Sequence, residues 1–420
     1  MFSPAFREEV VIAALKHGLL DDEHRQVASV IDLAGLTDNV RALQQAFPAD
    51  LNVLHTFAVK ANSIVPVLRE IRGLGMGAEA ASHGELTRAL DAGFAPQGLV
   101  FDSPAKSRSE LRRALELGVA LNIDNFQELE RVRAIRDTIT VPTRIGLRIN
   151  PQIGIGAIAA MSTAGQHSKF GIPLRDPGVR EQIISAYLEL PWLTRIHAHV
   201  GSQGCSLELI AEGIRTTTEL ADEINARAGA QQVSTIDVGG GLSVDFTTDA
   251  PVSRFQQYVA ALQAGAPRLF SGDFDIVTEF GRSILAKYGV TLSRVEYTKT
   301  VSGRPIAITH AGAQVATRTV FMPEAWPLRL EAYDAAGNSK QGEPSVVQDV
   351  AGPCCFAGDL IASERAMPLL EPDDIVALLD TGAYYASNPF DYNSLPLPGV
   401  YGVTRESTGL TFTTLREASA

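Results

Sequence analysis

Cysteine is scarce. Cys205, Cys354 and Cys355 are the only three in 420 residues. An odd, small number without metal-like spacing excludes a disulfide framework and a zinc site. Neighbouring cysteines such as Cys354 and Cys355 are usually buried as small hydrophobes. Basic charge is also short. The 36 lysines and arginines face 48 acids, a formal net charge of -12, which argues against nonspecific nucleic-acid binding. No apolar run approaches the roughly 20 residues that span a bilayer. Arg7, Glu8 and Glu9 interrupt the segment where a signal peptide needs an apolar core. The expectation is a soluble, cytoplasmic protein with no nucleic-acid or membrane partner. Low-complexity tracts are missing too. With 45% hydrophobic and 20% charged residues the chain has ordinary globular composition.

From about residue 50 a strand-then-helix rhythm begins. "LNVLHTFAVK" reads as a strand, and "VPVLREIRGLG" as a helix with Val67, Leu68, Ile71 and Leu74 on one face. The strands "GAEAAS", "GLVFDS", "VALNID", "PTRIGLRIN", "TRIHAHVGS", "VSTIDVGGG" and "DFDIVTEFGRS" follow, with helical stretches between them. Near-continuous apolar strands alternating with helices imply a parallel sheet covered by helices. Eight such units in roughly 250 residues have the size of a closed (β/α)8 TIM-type barrel, with an open doubly wound sheet as the alternative. After Ser283 the texture turns to short strand-like runs broken by Gly, Pro, Asp and Asn, with almost no helical period. The fold class expected is α/β, a (β/α)8 barrel over 31–283 followed by an antiparallel β domain over 284–420, which residues 1–30 join.

Catalytic groups of such barrels sit at the C-terminal ends of the strands. Lys60 ends the first strand, and a lysine closing a buried run is unusual unless paired or chemically used. Glu79 lies on the second, followed by Ser82 and Glu85, a spacing that fits a helix capping box. Arg148 and Asn150 lie on the fifth. The sixth runs through His197, His199, Gly201 and Ser202, where His197 reads as a barrel-interior residue. Gly239, Gly240 and Gly241 close the seventh, and Glu279, Gly281 and Arg282 the eighth. Glycines in a tight turn and a surface Glu–Arg pair are ordinary separately. Together these groups meet the needs of pyridoxal phosphate. They offer a lysine for its aldehyde, backbone N–H groups and an arginine for its phosphate, a carboxylate for its ring nitrogen and an imidazole to stack on the ring. No metal is expected.

The chain resembles the fold-type III decarboxylases that use pyridoxal phosphate, the group of diaminopimelate, ornithine and arginine decarboxylases. The motifs are "FAVKANS" at 57–63, "EAASHGEL" at 79–86, "KFGI" at 169–172, "HVGSQ" at 199–203, "IDVGGGLSV" at 236–244, "EFGRS" at 279–283, "GPCCFAGD" at 352–359 and "DTGAYYAS" at 380–387. The resemblance implies a homodimer with shared active sites. It makes Lys60 the Schiff-base lysine and His199 the ring-stacking histidine. Ser202, Gly239 to Gly241, Gly281, Arg282 and Tyr384 would hold the phosphate, and Glu279 the ring nitrogen. Cys355 would reach the other subunit's site and protonate the product, and Lys169 and Asp359 would bridge the dimer interface.

The departures concern substrate. Phe356 follows Cys355 where relatives acting on diamino acids carry Asp or Glu to grip the distal amine. Leu395 and Leu397 stand where diaminopimelate enzymes show arginines. The loop from Pro151 to Lys169 lacks the histidine-bearing pattern usual there. Arg318 falls where those enzymes bind a distal carboxylate, although its tyrosine companion is replaced by Met322. A surface position in the β domain would equally account for Arg318. The expected activity is decarboxylation of an amino acid or amino-acid conjugate that is not a simple diamino acid. Two alternatives are an amino-acid racemase, and an inactive relative that binds and regulates a decarboxylase. Retention of Lys60, Glu279 and Cys355 argues against the second.

Overall fold

The computed structural model describes residues 2–21, 23–158, 161–249 and 254–419. They form two compact units. One comprises Val40–Val244 and Ser253–Ser283, the other Met1–Asn39, Asp245–Val252 and Ile284–Ala420.

The first unit is a closed parallel barrel. Its eight strands are Val53–Ala58, Gly77–Ala80, Leu99–Phe101, Ala120–Ile123, Ile145–Asn150, Leu193–His197, Thr235–Asp237 and Asp275–Phe280. Each pairs in parallel with the next, and the eighth returns to the first, with Ile276 opposite Val53 and Phe280 opposite Phe57. They are called first to eighth below. A two-residue strand, Ile172–Pro173, adds to the side of the fifth. The (β/α)8 architecture is therefore present, and the open sheet is excluded by the pairing of first and eighth strands.

Local chemistry sets the helix ends. Ser82, Ser107, Asn125 and Ser206 each accept a backbone N–H at a helix N-terminus. Gly118 and Gly229 end their helices in the left-handed region, with φ of 75° and 66°. Ser82 and Glu85 do cap a helix, but Glu85 reaches back to the N–H of Ala81, one residue before the cap.

The second unit is a curled sheet. Its spine, Gly289–Val301, pairs antiparallel with Val27–Asp32, Arg304–Thr309 and Ile375–Leu379. Two pairings are parallel, Val27–Asp32 with Gly399–Glu406 and Arg304–Thr309 with Ser345–Ala351, so the sheet is mixed rather than purely antiparallel. The helix Pro4–Lys16 buries Val10, Val11 and Ala14 in a core shared with Val30, Val290, Leu292 and Tyr333. A helix also interrupts the region expected to lack them. Ala313–Phe321 is kinked at Ala316 and carries Arg318. Its threonines and valines hide the helical period that longer aliphatic side chains would reveal.

Candidate active site

The barrel strands are shorter than the sequence suggested, and the chemistry sits in the turns just past them. Lys60 is in a single helical turn, Val59–Ala61, after the first strand. Its Nζ is 2.8 Å from Glu79 Oε2 on the second strand. The lysine side chain remains 44% exposed while that of Glu79 is fully buried. The lysine thus ends a buried run because a buried carboxylate receives it at an open mouth.

Around this pair lies a ring of buried charge. Arg148 on the fifth strand donates to Asp102 Oδ2 at 2.7 Å, just past the third strand. Arg195 on the sixth pairs with Asp237 on the seventh. Asn122 Nδ2 also donates to Asp237 Oδ2, at 3.1 Å. His197 lies between Asp102 and Glu279, its Nδ1 3.9 Å from Asp102 Oδ2 and its Nε2 3.5 Å from Glu279 Oε2. It is a barrel-interior residue, fully buried. Asp102, His197 and Glu279 lie close enough to share a cation. Arg148 already brings positive charge to Asp102, so they read as a proton-bearing cluster.

The titration directions follow. Burial pushes Asp102 upward, but Arg148, His197 and Lys106 outweigh it and hold the carboxylate well below its usual range. Burial, then Glu79 and Asp102, pushes Glu279 up to about 8. Burial, then the neighbouring Glu279 carboxyl, raises Asp237 to about 6. Burial, with Arg148 and Lys60 nearby, keeps His199 neutral, far below the usual imidazole range.

The glycine turn is specified residue by residue. A Cβ on Gly239 would lie 2.6 Å from His199 Nδ1, one on Gly240 2.3 Å from the Glu279 carbonyl oxygen, and one on Gly241 2.3 Å from that of Gly201. Gly239 and Gly241 also need positive φ, 64° and 107°. Hydrogen bonds tie the turn to its neighbours. Gly239 N–H donates to Asp237 Oδ1 at 3.0 Å, Gly240 N–H to His199 Nδ1 at 3.1 Å, and Glu279 N–H to the Gly239 carbonyl at 2.7 Å. Gly281 packs close to Ala58 and Ala61, and Ser202 N–H donates to the Met161 carbonyl at 2.9 Å. Glu279 and Arg282 are both buried, so they are no surface pair.

These features fit pyridoxal phosphate. The amine stands at the mouth, the bare backbone of the turn suits a phosphate, and Glu279 Oε1 is buried with no hydrogen-bond partner among the described residues. Asp102, Asp237 and Arg195 were not singled out from sequence. The available signal was an acid closing an apolar run, in "GLVFDS" and "VSTIDVGGG".

The remaining expected residues belong to the second unit. Cys354 is buried while Cys355 is exposed, so the two neighbours do not share a buried role. Within one chain Asp359 is held by backbone. It is buried, and its oxygens accept the N–H groups of Ala313 at 2.6 Å and Cys354 at 2.7 Å. Tyr384 lies 4.4 Å, and Trp326 4.9 Å, from the Arg318 guanidinium. Burial lowers the pKa of Arg318, and its Nη1 has no hydrogen-bond partner among the described residues. It is not a solvated surface arginine. Phe356 stacks on Phe321 at 5.7 Å and meets Tyr392 edge-on at 5.9 Å.

A barrel whose mouth joins a lysine amine, a glycine turn and a buried acid defines an enzyme of pyridoxal phosphate. Residues 33–286 match the family model of the pyridoxal-dependent decarboxylases, pyridoxal binding domain. The chain belongs to that family and is a pyridoxal-phosphate-dependent amino-acid decarboxylase, which sets aside the racemase alternative. It is 31% identical over 345 residues to a diaminopimelate decarboxylase of Helicobacter pylori, covering 81% of each chain. It is 33% identical over 344 residues to one from Pseudomonas aeruginosa, covering 80% of this chain and 78% of the other. A crystal structure of the Helicobacter pylori enzyme complexed with L-lysine superposes with a TM-score of 0.82 at 26% identity, covering 95% of each chain. No helix among the described residues is long and apolar enough to cross a membrane.

The raised Glu279 carboxyl makes stability depend on pH. Between the unfolded value of 4.5 and about 8 the folded chain holds a proton that the unfolded chain releases. Its contribution is full below 4.5 and is lost as pH rises through about 8. Urea midpoints of the cofactor-free protein and of Glu279→Gln, compared from pH 5 to 8, are expected to diverge. Wild type should lose up to about 1.4 kcal/mol per pH unit relative to the variant. Parallel curves would refute the raised carboxyl.

Proposed function

We propose that the chain, as a homodimer with shared sites, decarboxylates an amino acid or amino-acid conjugate whose far end carries no free ammonium. Pyridoxal phosphate, when bound, supplies a sink for the electron pair left by departing carbon dioxide. Lys60 would hold the cofactor through its amine, next to where a substrate amine would enter. Gly239 to Gly241, Ser202, Gly281, Arg282 and Tyr384 hold its phosphate. Glu279 keeps a proton available for the ring nitrogen, and neutral His199 offers its ring face. The Cys355 thiol returns a proton to the substrate carbon.

Phe356 carries the substrate reading. It is one of four clustered rings with Phe321, Phe390 and Tyr392. A distal ammonium that became buried against Phe356 on binding, without a carboxylate, would cost about 3–5 kcal/mol. A cation–π contact would return only about 0.5–2 kcal/mol. Arg318, a partly buried cation, suits a substrate carboxylate. That same residue, with the names of the relatives, favours diaminopimelate as a second reading, since diaminopimelate also carries a distal carboxylate.

Borohydride treatment of the holoenzyme is expected to fix the cofactor to the peptide containing Lys60. An adduct on another lysine would reassign the amine. For the shared site, Lys60→Ala and Cys355→Ala proteins are mixed under conditions of subunit exchange. Random mixing should recover about a quarter of wild-type activity, and no recovery argues for separate sites. For substrate, kcat/KM with ornithine, lysine and meso-diaminopimelate is compared with that for amino acids lacking a distal amine. Values of about 10⁴ M⁻¹s⁻¹ or more for any of the three would sink the reading of Phe356. Phe356→Glu should raise activity toward a diamino acid and lower it toward the native substrate.

A further inference from the structure

His197 has no assigned role, yet it occupies the centre of the buried cluster. Its side chain is fully buried, and neither ring nitrogen has a hydrogen-bond partner among the described residues. The groups facing it come from five strands or their ends: Asp102 past the third, Arg148 on the fifth, Arg195 on its own strand, Asp237 on the seventh and Glu279 on the eighth. Lys60, Glu79 and His199 complete the surroundings of the cluster.

We propose that His197 is a positioning residue whose neutral ring, protonated on Nε2, holds Glu279 Oε2 and thereby fixes the Glu279 acid proton on Oε1. This rests on the reading of Glu279 as partner of the cofactor nitrogen. The Nε2 atom is the nearer of the two ring nitrogens to a carboxylate, 3.5 Å from Glu279 against 3.9 Å from Asp102 for Nδ1. Asp102 Oδ2 is already taken by Arg148 at 2.7 Å. Burial, with Arg148 and Arg195 close by, disfavours a second proton on the ring, against the pull of Asp237 and Asp102. A neutral imidazole has one N–H, and Glu279 Oε2 is the nearest carboxylate oxygen to receive it. Glu279, protonated in the cofactor-free barrel beside the Asp237 carboxyl, then carries its hydrogen on Oε1, which accepts no hydrogen bond among the described residues. When that proton passes to a ring nitrogen, the O–H bond of Oε1 breaks and an N–H bond forms. The carboxylate left behind keeps the His197 N–H on Oε2. No tautomer change is required, and no proton enters or leaves the cluster. Hydrogen bonds of this kind often lie long before a ligand is seated and tighten with it.

Two measurements test this. The first uses wild type labelled with nitrogen-15 histidine, with and without cofactor, the His197 signals being assigned by their loss in His197→Gln. A neutral ring protonated on Nε2 in both states is expected. A proton on Nδ1, or on both nitrogens, overturns the proposal. The second follows the visible absorption of the bound cofactor against pH. His197→Phe should move its transition up by about one pH unit or more, because a carboxylate that loses a hydrogen bond holds the shared proton more tightly. His197→Gln, whose amide can donate from a similar position, should restore most of that shift. Equal shifts in the two variants, or none in His197→Phe, overturn the proposal. If Glu279→Gln leaves the absorption profile unchanged, the reading of Glu279 is what fails. The tautomer of His197 still decides its own assignment.

Discussion

The barrel mouth buries more carboxylates than it supplies cations to pair with them. Lys60 meets Glu79, Arg148 meets Asp102 and Arg195 meets Asp237. Glu279 has the His197 ring and the Asp237 carboxyl beside it, with no ion pair to a lysine or arginine among the described residues. A buried carboxylate without a cation lowers its cost by keeping its proton. The mismatch therefore selects which acid is protonated near neutrality. It also explains why the pairs must be close: each cation that neutralises a neighbour is withdrawn from Glu279.

The glycine turn extends the same constraint to the backbone. Asp237, pinned by Arg195, receives the Gly239 N–H, and the Gly239 carbonyl receives the N–H of Glu279 itself. Gly240 packs against the Glu279 carbonyl so tightly that no side chain fits. The turn that would meet the phosphate and the acid that would meet the ring nitrogen are thus one hydrogen-bonded piece. Displacing either moves the other, a coupling that pre-organises both ends of a flat cofactor.

What could be read in the sequence was what is local. Strand and helix periods revealed the barrel, and position past a strand end marked Lys60, His199, the glycines and Glu279. Pairings between distant residues could not be read that way. Arg148 and Asp102 are 46 positions apart, and Arg195 and Asp237 are 42 apart. Nothing in either segment names its partner until the barrel closes. The mixed pairing of the β unit was hidden for the same reason, since a strand run does not reveal whether its neighbour is parallel. The helix Ala313–Phe321 was missed because its Val, Thr and kinked Ala316 weaken the local signal.

The loop at residues 352–359 shows how the side chain at 356 can change without disturbing its support. Asp359 gathers the N–H groups of Cys354 and Ala313, and Gly312 and Gly352 must be glycine because a Cβ on either would strike its carboxylate at 2.4 Å. Phe356 N–H closes a tight turn on the Cys354 carbonyl at 2.7 Å, and Cys355 N–H is fixed by Asn393 Oδ1 at 2.8 Å. These bonds use backbone, so they turn Cys354 inward and Cys355 outward whatever side chain stands at 356. An acid or an aromatic ring can therefore occupy that position on the same scaffold. What differs is the neighbourhood each requires. Phe356 has three aromatic partners packed against it. The aromatic surroundings and the residue at 356 are consistent with each other.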